Sequence, residues 1–197
     1  MSSAESVPEP DGGTLRKGER TRLRILQTAR RVFADVGYER ATIRAIAAAA
    51  EVDKSSVIQY FGTKEQLFRD AVTWSIPVAA VIATDPANKA ENLARGMLES
   101  WAADPDSPMA VLLRASMTSD EAAEILRNRV TDQAISGLAH EIDAPDARLR
   151  AALFNASLMG IASLRYLLQM PDLAEADLDD ILRIMLPLLE ELVSPTD

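Results

Sequence analysis

Lys54, Ser55, Ser56 and Gln59 fall within one short stretch of the 197-residue chain. All four side chains donate hydrogen bonds. The first three open a segment in which Val57 and Phe61 stand one helical turn apart, so the donors belong to the start of a helix anchored by those two residues. The Lys54, Ser55 and Ser56 side chains allow close approach, and the Gln59 amide one turn later can pair with both edge groups of an adenine. That chemistry suits the acceptor-rich floor of the DNA major groove. Catalysis has much poorer footing. The chain has no cysteine and one histidine, His140 near a helix end, and its carboxylates spread over predicted solvent faces. Neither a nucleophile–base pair nor a metal constellation can be assembled, so an enzyme, a metal site and a cofactor are not expected.

The elements that must position these donors are helices. Ile25, Leu26, Ala29, Val32, Phe33 and Val36 recur at spacings of three and four from Arg20 onward, a core-facing stripe that Gly37 ends. Thr42 stands where a hydroxyl caps a second, shorter helix with Ile43, Ile46, Ala47 and Ala50 on one face. Asp53 then offers another cap, for a third helix, 54–61, closed by Gly62. Two short helices joined by a tight turn after a longer one is the helix-turn-helix arrangement. Thr63-Lys64-Glu65-Gln66 reads as a capping box, with the Thr63 hydroxyl and Gln66 amide exchanging bonds with free N–H groups. Leu67, Phe68, Ala71 and Val72 face inward on the fourth helix, which Pro77 kinks or ends.

The net charge of −9 argues against a nucleic-acid partner until it is divided along the chain. Residues 14–70 hold 12 basic and 7 acidic side chains, net +5, whereas 71–197 hold 9 and 20, net −11. A basic head on an acidic body suits a protein that touches DNA with one end. Residues 1–18 read as a flexible arm, rich in Ser, Pro, Gly and Glu, whose basic end (Arg16, Lys17, with Arg20 beyond) is either a solvated terminus or a reach into the adjacent minor groove. No apolar stretch is long enough for a membrane span and 1–13 lacks a signal-type region, so a cytoplasmic protein with no membrane partner is expected.

The ordered run Ile25, Leu26, Ala29, Phe33, Gly37, Tyr38, then Ala41, Thr42, Ile43, Ile46, Ala47, then Val52, Lys54 to Val57 and Tyr60 to Phe68, resembles the DNA-binding domain of the TetR/AcrR family of bacterial regulators. The resemblance implies an all-α protein: an N-terminal three-helix helix-turn-helix DNA-binding domain, 19–65, followed by a helical ligand-binding and dimerisation domain, 66–197. It also implies that Tyr60 and Lys64 bind phosphates, and it places Thr42 and Arg44 at the backbone beside them, completing the DNA-binding set with Lys54, Ser55, Ser56 and Gln59. Two positions depart from the pattern. Glu51 holds the turn where the family carries Gly for a positive φ, at a cost of about 1 kcal/mol. Ile58 stands where many members have an aromatic residue.

In the body, 147–170 and 178–192 carry apolar and small residues at helical spacing. Leu153, Ala156, Gly160, Leu164, Ile181, Met185 and Leu188 are the expected interface of a homodimer; the alternative is that both stripes face the chain's own core. Pro187 should bend the last helix. Trp74, Met97, Trp101, Met109, Met117 and Phe154 are bulky, adaptable side chains where the family has a ligand pocket, although core packing would also account for each. The expected function is therefore a regulator that binds a double-stranded, pseudo-palindromic DNA operator as a dimer and is released by a small, largely apolar effector. An activator, or a helical adaptor that has lost DNA binding, are the alternatives.

Overall fold

In the computed structural model, the described residues are 16–74, 78–104 and 106–194, and among them every regular element is helical. Helix α1 spans Lys17–Val36, α2 Ile43–Ala49, α3 Lys54–Phe61 and α4 Lys64–Ala71. The body follows as α5 Val78–Thr84, α6 Lys89–Ala103, α7 Pro108–Ser116, α8 Asp120–Arg129, α9 Ser136–Ala139, α10 Ala147–Ala162, α11 Pro171–Ala174 and α12 Leu178–Val193. Wider π-helical turns extend α8 over Val130–Ile135 and α10 over Ser163–Leu167.

The expected boundaries of the head recur with local causes visible. Gly37 and Gly62 take positive φ after α1 and α3 and return their N–H groups to Phe33 and Ile58. The Thr42 and Thr63 hydroxyls each accept a backbone N–H at 3.1 Å, worth about 1 kcal/mol apiece. Asp53 stands at the N-cap of α3 but its side chain makes no capping bond, since Asp53 accepts the first turn's N–H groups through its carbonyl alone. Three further expectations need correction. Helix α1 begins at Lys17, because Glu19 reaches back to the Arg16 N–H at 2.8 Å, so Lys17 and Gly18 of the expected arm are helical; the rest of that expectation, residues 1–15, like Pro77, lies outside the described residues. Val36 is 38% exposed, since the chain turns away at Gly37 and leaves it on the rim. The box at Thr63 is only half formed: the Gln66 amide donates to Asp70 at 2.8 Å instead of reaching back.

Two apolar cores share a wall. The head core gathers Ile25, Ala29, Phe33, Tyr38, Ile46, Val57, Phe61, Leu67 and Phe68, with the rings of Phe33 and Phe68 edge to face at 5.0 Å. Val111 and Leu112 of α7 also belong to it, whereas Met109, Ala110 and Leu113 of the same helix face the body core with Leu98, Trp101, Phe154, Leu158 and Leu189. Helix α7 is thus apolar on both sides, as a helix buried between two layers must be. A division at 65/66 falls inside the first turn of α4, whose Leu67 and Phe68 are fully buried in the head.

Candidate nucleic-acid interface and effector cavity

The turn between α2 and α3 is a Schellman closure. The Val52 N–H reaches the Ala47 carbonyl at 3.0 Å and the Glu51 N–H reaches that of Ala48 at 3.2 Å, with Glu51 at φ 53° in the left-handed region. The positive φ expected at this non-glycine position is therefore present. The closure aims α3 so that Val57 and Phe61 enter the head core while Ser55 and Gln59, half a helical circumference away, face outward. Lys54 is exposed and Ser56 half-buried. Ile58, 44% exposed, shares this outer surface and offers it an apolar contact. Thr42 and Arg44 stand exposed at the start of α2, and neither Arg44 nor Lys54 has a hydrogen-bonded or ionic partner among the described residues. The Tyr60 ring is 37% exposed, and its hydroxyl lies against Gly18 in the first turn of α1.

Lys64 is placed differently from the other donors. Its ammonium sits 4.4 Å from the centroid of the Tyr38 ring and donates to the Tyr38 and Glu39 carbonyls at 3.1 and 3.4 Å. The side chain is half-buried, tying the start of α4 to the loop after α1. Tyr38 in turn connects the head to α8 through Glu121. Burial first, and the hydrogen bond to Glu121 second, push its phenol well above the usual tyrosine range. His140 caps the end of α9 in an exposed position with its ring against the Ser136 carbonyl, as its place near a helix end suggests.

A cavity of about 360 Å³ opens in the body, lined by residues of α5, α6, α7, α9 and α10 and by the π-helical turn after α8. Of the residues expected at a ligand pocket, Trp74, Met97, Trp101, Met109 and Phe154 line this cavity. Met117 does not: it follows the end of α7, 74% exposed, because the helix stops just before it and turns toward α8. The sequence reading missed Asn92, Gly96, Ser100 and Asn155. The first three recur every fourth residue on α6 beside Met97 and Trp101, a stripe of small and polar groups that could have marked the wall. Among the described residues no group of His, Cys, Asp or Glu is placed to hold a metal ion, and no helix is long and apolar enough to cross a membrane.

Helix α10 is apolar on two opposite sides. Ala151, Phe154, Leu158 and Ala162 are buried, while Leu149, Leu153, Ala156 and Gly160 form an exposed line along the other face. On α12, Ile184 and Leu188 are 66% and 53% exposed. Of the residues expected at an interface, Leu153, Ala156, Gly160 and Leu188 are outward, and Leu164 and Met185 are half-buried. Ile181 is already 7% exposed within the single chain, because it lies on the flank of α12 beside the inward Leu182.

A tri-helical head whose third helix turns its polar side outward, fused through a shared wall to a helical body, is the architecture of a helix-turn-helix DNA-binding regulator. Residues 25–71 match the bacterial regulatory proteins of the tetR family, and residues 88–193 match the tetracyclin repressor-like C-terminal domain. A TetR-family regulator from Streptomyces coelicolor A3 is 30% identical, with 92% of this chain and 99% of that one covered at a TM-score of 0.63. The chain belongs to the TetR family and is a DNA-binding transcriptional regulator. NalD of Pseudomonas aeruginosa, the secondary repressor of the MexAB-OprM multidrug efflux pump, shares the fold at a TM-score of 0.71 with 20% identity, covering 92% of this chain and all (100%) of that one. The transcriptional repressor AcnR of Corynebacterium glutamicum is 35% identical over 83 residues, 42% of this chain and 43% of that protein; the match spans less than half of this curated relative's length.

Proposed function

We propose that this regulator is a repressor that binds a pseudo-palindromic operator as a homodimer and leaves it when a small, largely apolar effector enters the body cavity. One observation carries the DNA half of the reading: Ser55 and Gln59 lie opposite the buried Val57 and Phe61, so α3 presents its donors outward while its core side locks it in place. Base contacts are assigned to Lys54, Ser55, Ser56 and Gln59, and backbone contacts to Thr42, Arg44, Tyr60 and Lys64. Lys64 must give up its bonds to the Tyr38 and Glu39 carbonyls to reach a phosphate, which couples DNA contact to the loop that Glu121 holds from the body. The exposed line on α10, with Ile184 and Leu188 exposed on α12, supports pairing with a second copy, because clustered exposed apolar side chains mark an interaction surface. Repression is named for AcnR and NalD, and supports the same direction of control here.

Binding of DNA selected from a random pool tests the reading. Gln59→Ala should cost about 1–3 kcal/mol at one base pair and relax preference there, with the salt dependence unchanged. An unaltered base preference in Gln59→Ala would remove α3 from the recognition role.

A further inference from the structure

The cavity wall has a hydrogen-bonding character that specifies more than size. Among the described lining residues there is no Asp, Glu, Lys, Arg or His. An ion entering this space would lose its hydration with no opposite charge to replace it, a loss that neutral contacts do not restore. Arg129, which precedes the lining residue Val130, is not among the lining residues; its terminal nitrogens are engaged elsewhere, while its buried Nε–H has no hydrogen-bond partner among the described residues. Its guanidinium donates to the Trp74 carbonyl at 3.2 Å and the Thr73 hydroxyl at 3.0 Å, and it lies 5.2 Å from the centroid of the Trp74 ring. That positive charge opposes a cationic ligand on the same indole.

The polar groups that do line the wall are neutral, and their existing bonds decide what each can still offer. Asn155 donates from Nδ2 to the Ala151 carbonyl at 2.9 Å, one turn back on α10. A carbonyl can only accept, so the amide nitrogen is fixed on that side and Oδ1 is the end without a partner among the described residues. The wall thus holds a ready acceptor within an otherwise apolar surface of Trp74, Trp101, Met97 and Phe154.

We infer that the effector is an uncharged, bulky apolar molecule carrying a hydrogen-bond donor, such as a hydroxyl, that the Asn155 amide oxygen receives. This rests on the assignment of the cavity as the effector site. Both tryptophans of the chain line that cavity, so their emission reports its occupancy without any DNA present.

The test uses four probes with one non-absorbing body: 1-adamantanemethanol, its methyl ether, 1-adamantanecarboxylate and 1-adamantanemethylammonium, titrated against tryptophan emission of the full chain. The alcohol should bind several-fold to about tenfold more tightly than the ether, which lacks the donor, and at least about tenfold more tightly than either ion. Asn155→Leu should erase the alcohol's advantage over the ether. Asn155→Asp should move the preference to the ammonium, a reversal that misfolding cannot imitate. Preference of the unaltered protein for an ion, survival of the alcohol's advantage in Asn155→Leu, or no response to any probe would overturn the inference. Gly96→Met separates this from the broader reading. Gly96 is an exposed lining residue and no atom lies within 4 Å of a Cβ built there, so a side chain can be added at the cavity's rim without displacing the wall. Loss of all binding in Gly96→Met together with a different probe order in the unaltered protein defeats only the donor assignment; unchanged binding in both Gly96→Met and Gly96→Trp defeats the cavity as the effector site, and operator binding measured without probes is independent of both.

Discussion

The phenol of Tyr38 donates to one carboxylate oxygen of Glu121 at 3.0 Å, and Arg69 holds the other at 2.9 Å. Tyr38 belongs to the loop after α1, Arg69 to α4 and Glu121 to the first turn of α8, so one carboxylate joins three elements across the head–body junction. The Lys64 ammonium over the Tyr38 ring extends the junction to the first turn of α4.

Glu121→Ala should destabilise the protein by about 1–3 kcal/mol, since it leaves a partly buried phenol unpaired. Combined with Tyr38→Phe, the loss should be smaller than the sum of the single losses, because both remove the same bond. Denaturant unfolding of the four proteins measures this, and strict additivity would show that the bond contributes nothing. The pH dependence has a definite sign. The folded pKa of Tyr38 is raised, by burial first and then by Glu121, so this stabilisation is complete below the unfolded phenol's value of about 10 and is lost as pH climbs above it. Phenolate absorbance of the unaltered protein against Tyr38→Phe should show Tyr38 still protonated where free tyrosine ionises.

Glu51→Gly should be neutral or stabilising by up to about 1 kcal/mol, because it relieves a left-handed non-glycine residue at φ 53°. Operator affinity should hold or rise, since a negative charge leaves the turn beside α3. A thermal melt and one binding isotherm check both; clear destabilisation would mean that the Glu51 side chain has a specific partner in solution.

Arg44→Ala and Lys64→Ala should part company. Arg44 has no partner among the described residues, so its loss should leave the melting temperature unchanged and lower the salt dependence of operator binding by about one counterion. Loss of Lys64 should weaken binding to all related operators by a similar factor. It should also cost about 1 kcal/mol of stability, through the Tyr38 ring and the two carbonyls. Denaturation and anisotropy at several salt concentrations distinguish the two, and equal melting temperatures would show that the inward position of Lys64 has no energetic weight.

Gly160→Trp should convert the protein toward a monomer while preserving its fold, because the position is exposed and a Cβ there meets nothing within 4 Å. Leu188→Asp should act likewise from the other helix. Sedimentation or light scattering gives the mass, and a stable monomer for the unaltered chain at micromolar concentration would refute the interface.

The head was legible in the sequence because its determinants are local. The Ile25, Ala29, Phe33 stripe, the Thr42 and Thr63 caps, and Gly37 and Gly62 each act within a few residues of themselves, and the strain at Glu51 follows from the length of the turn it must close. What periodicity cannot tell is which of two apolar faces meets the chain's own core. On α10 it marks Phe154 and Leu153 alike, and only the packed arrangement separates the buried one from the exposed one. Met117 and Met109 are likewise the same residue type at either end of α7, yet one is exposed and the other lines the cavity, because a cavity is a property of several helices at once. Lys64 points inward for the same reason: its partners, the ring of Tyr38 and the Tyr38 and Glu39 carbonyls, lie about 25 residues away in the chain and are brought within reach only when α4 packs on α1.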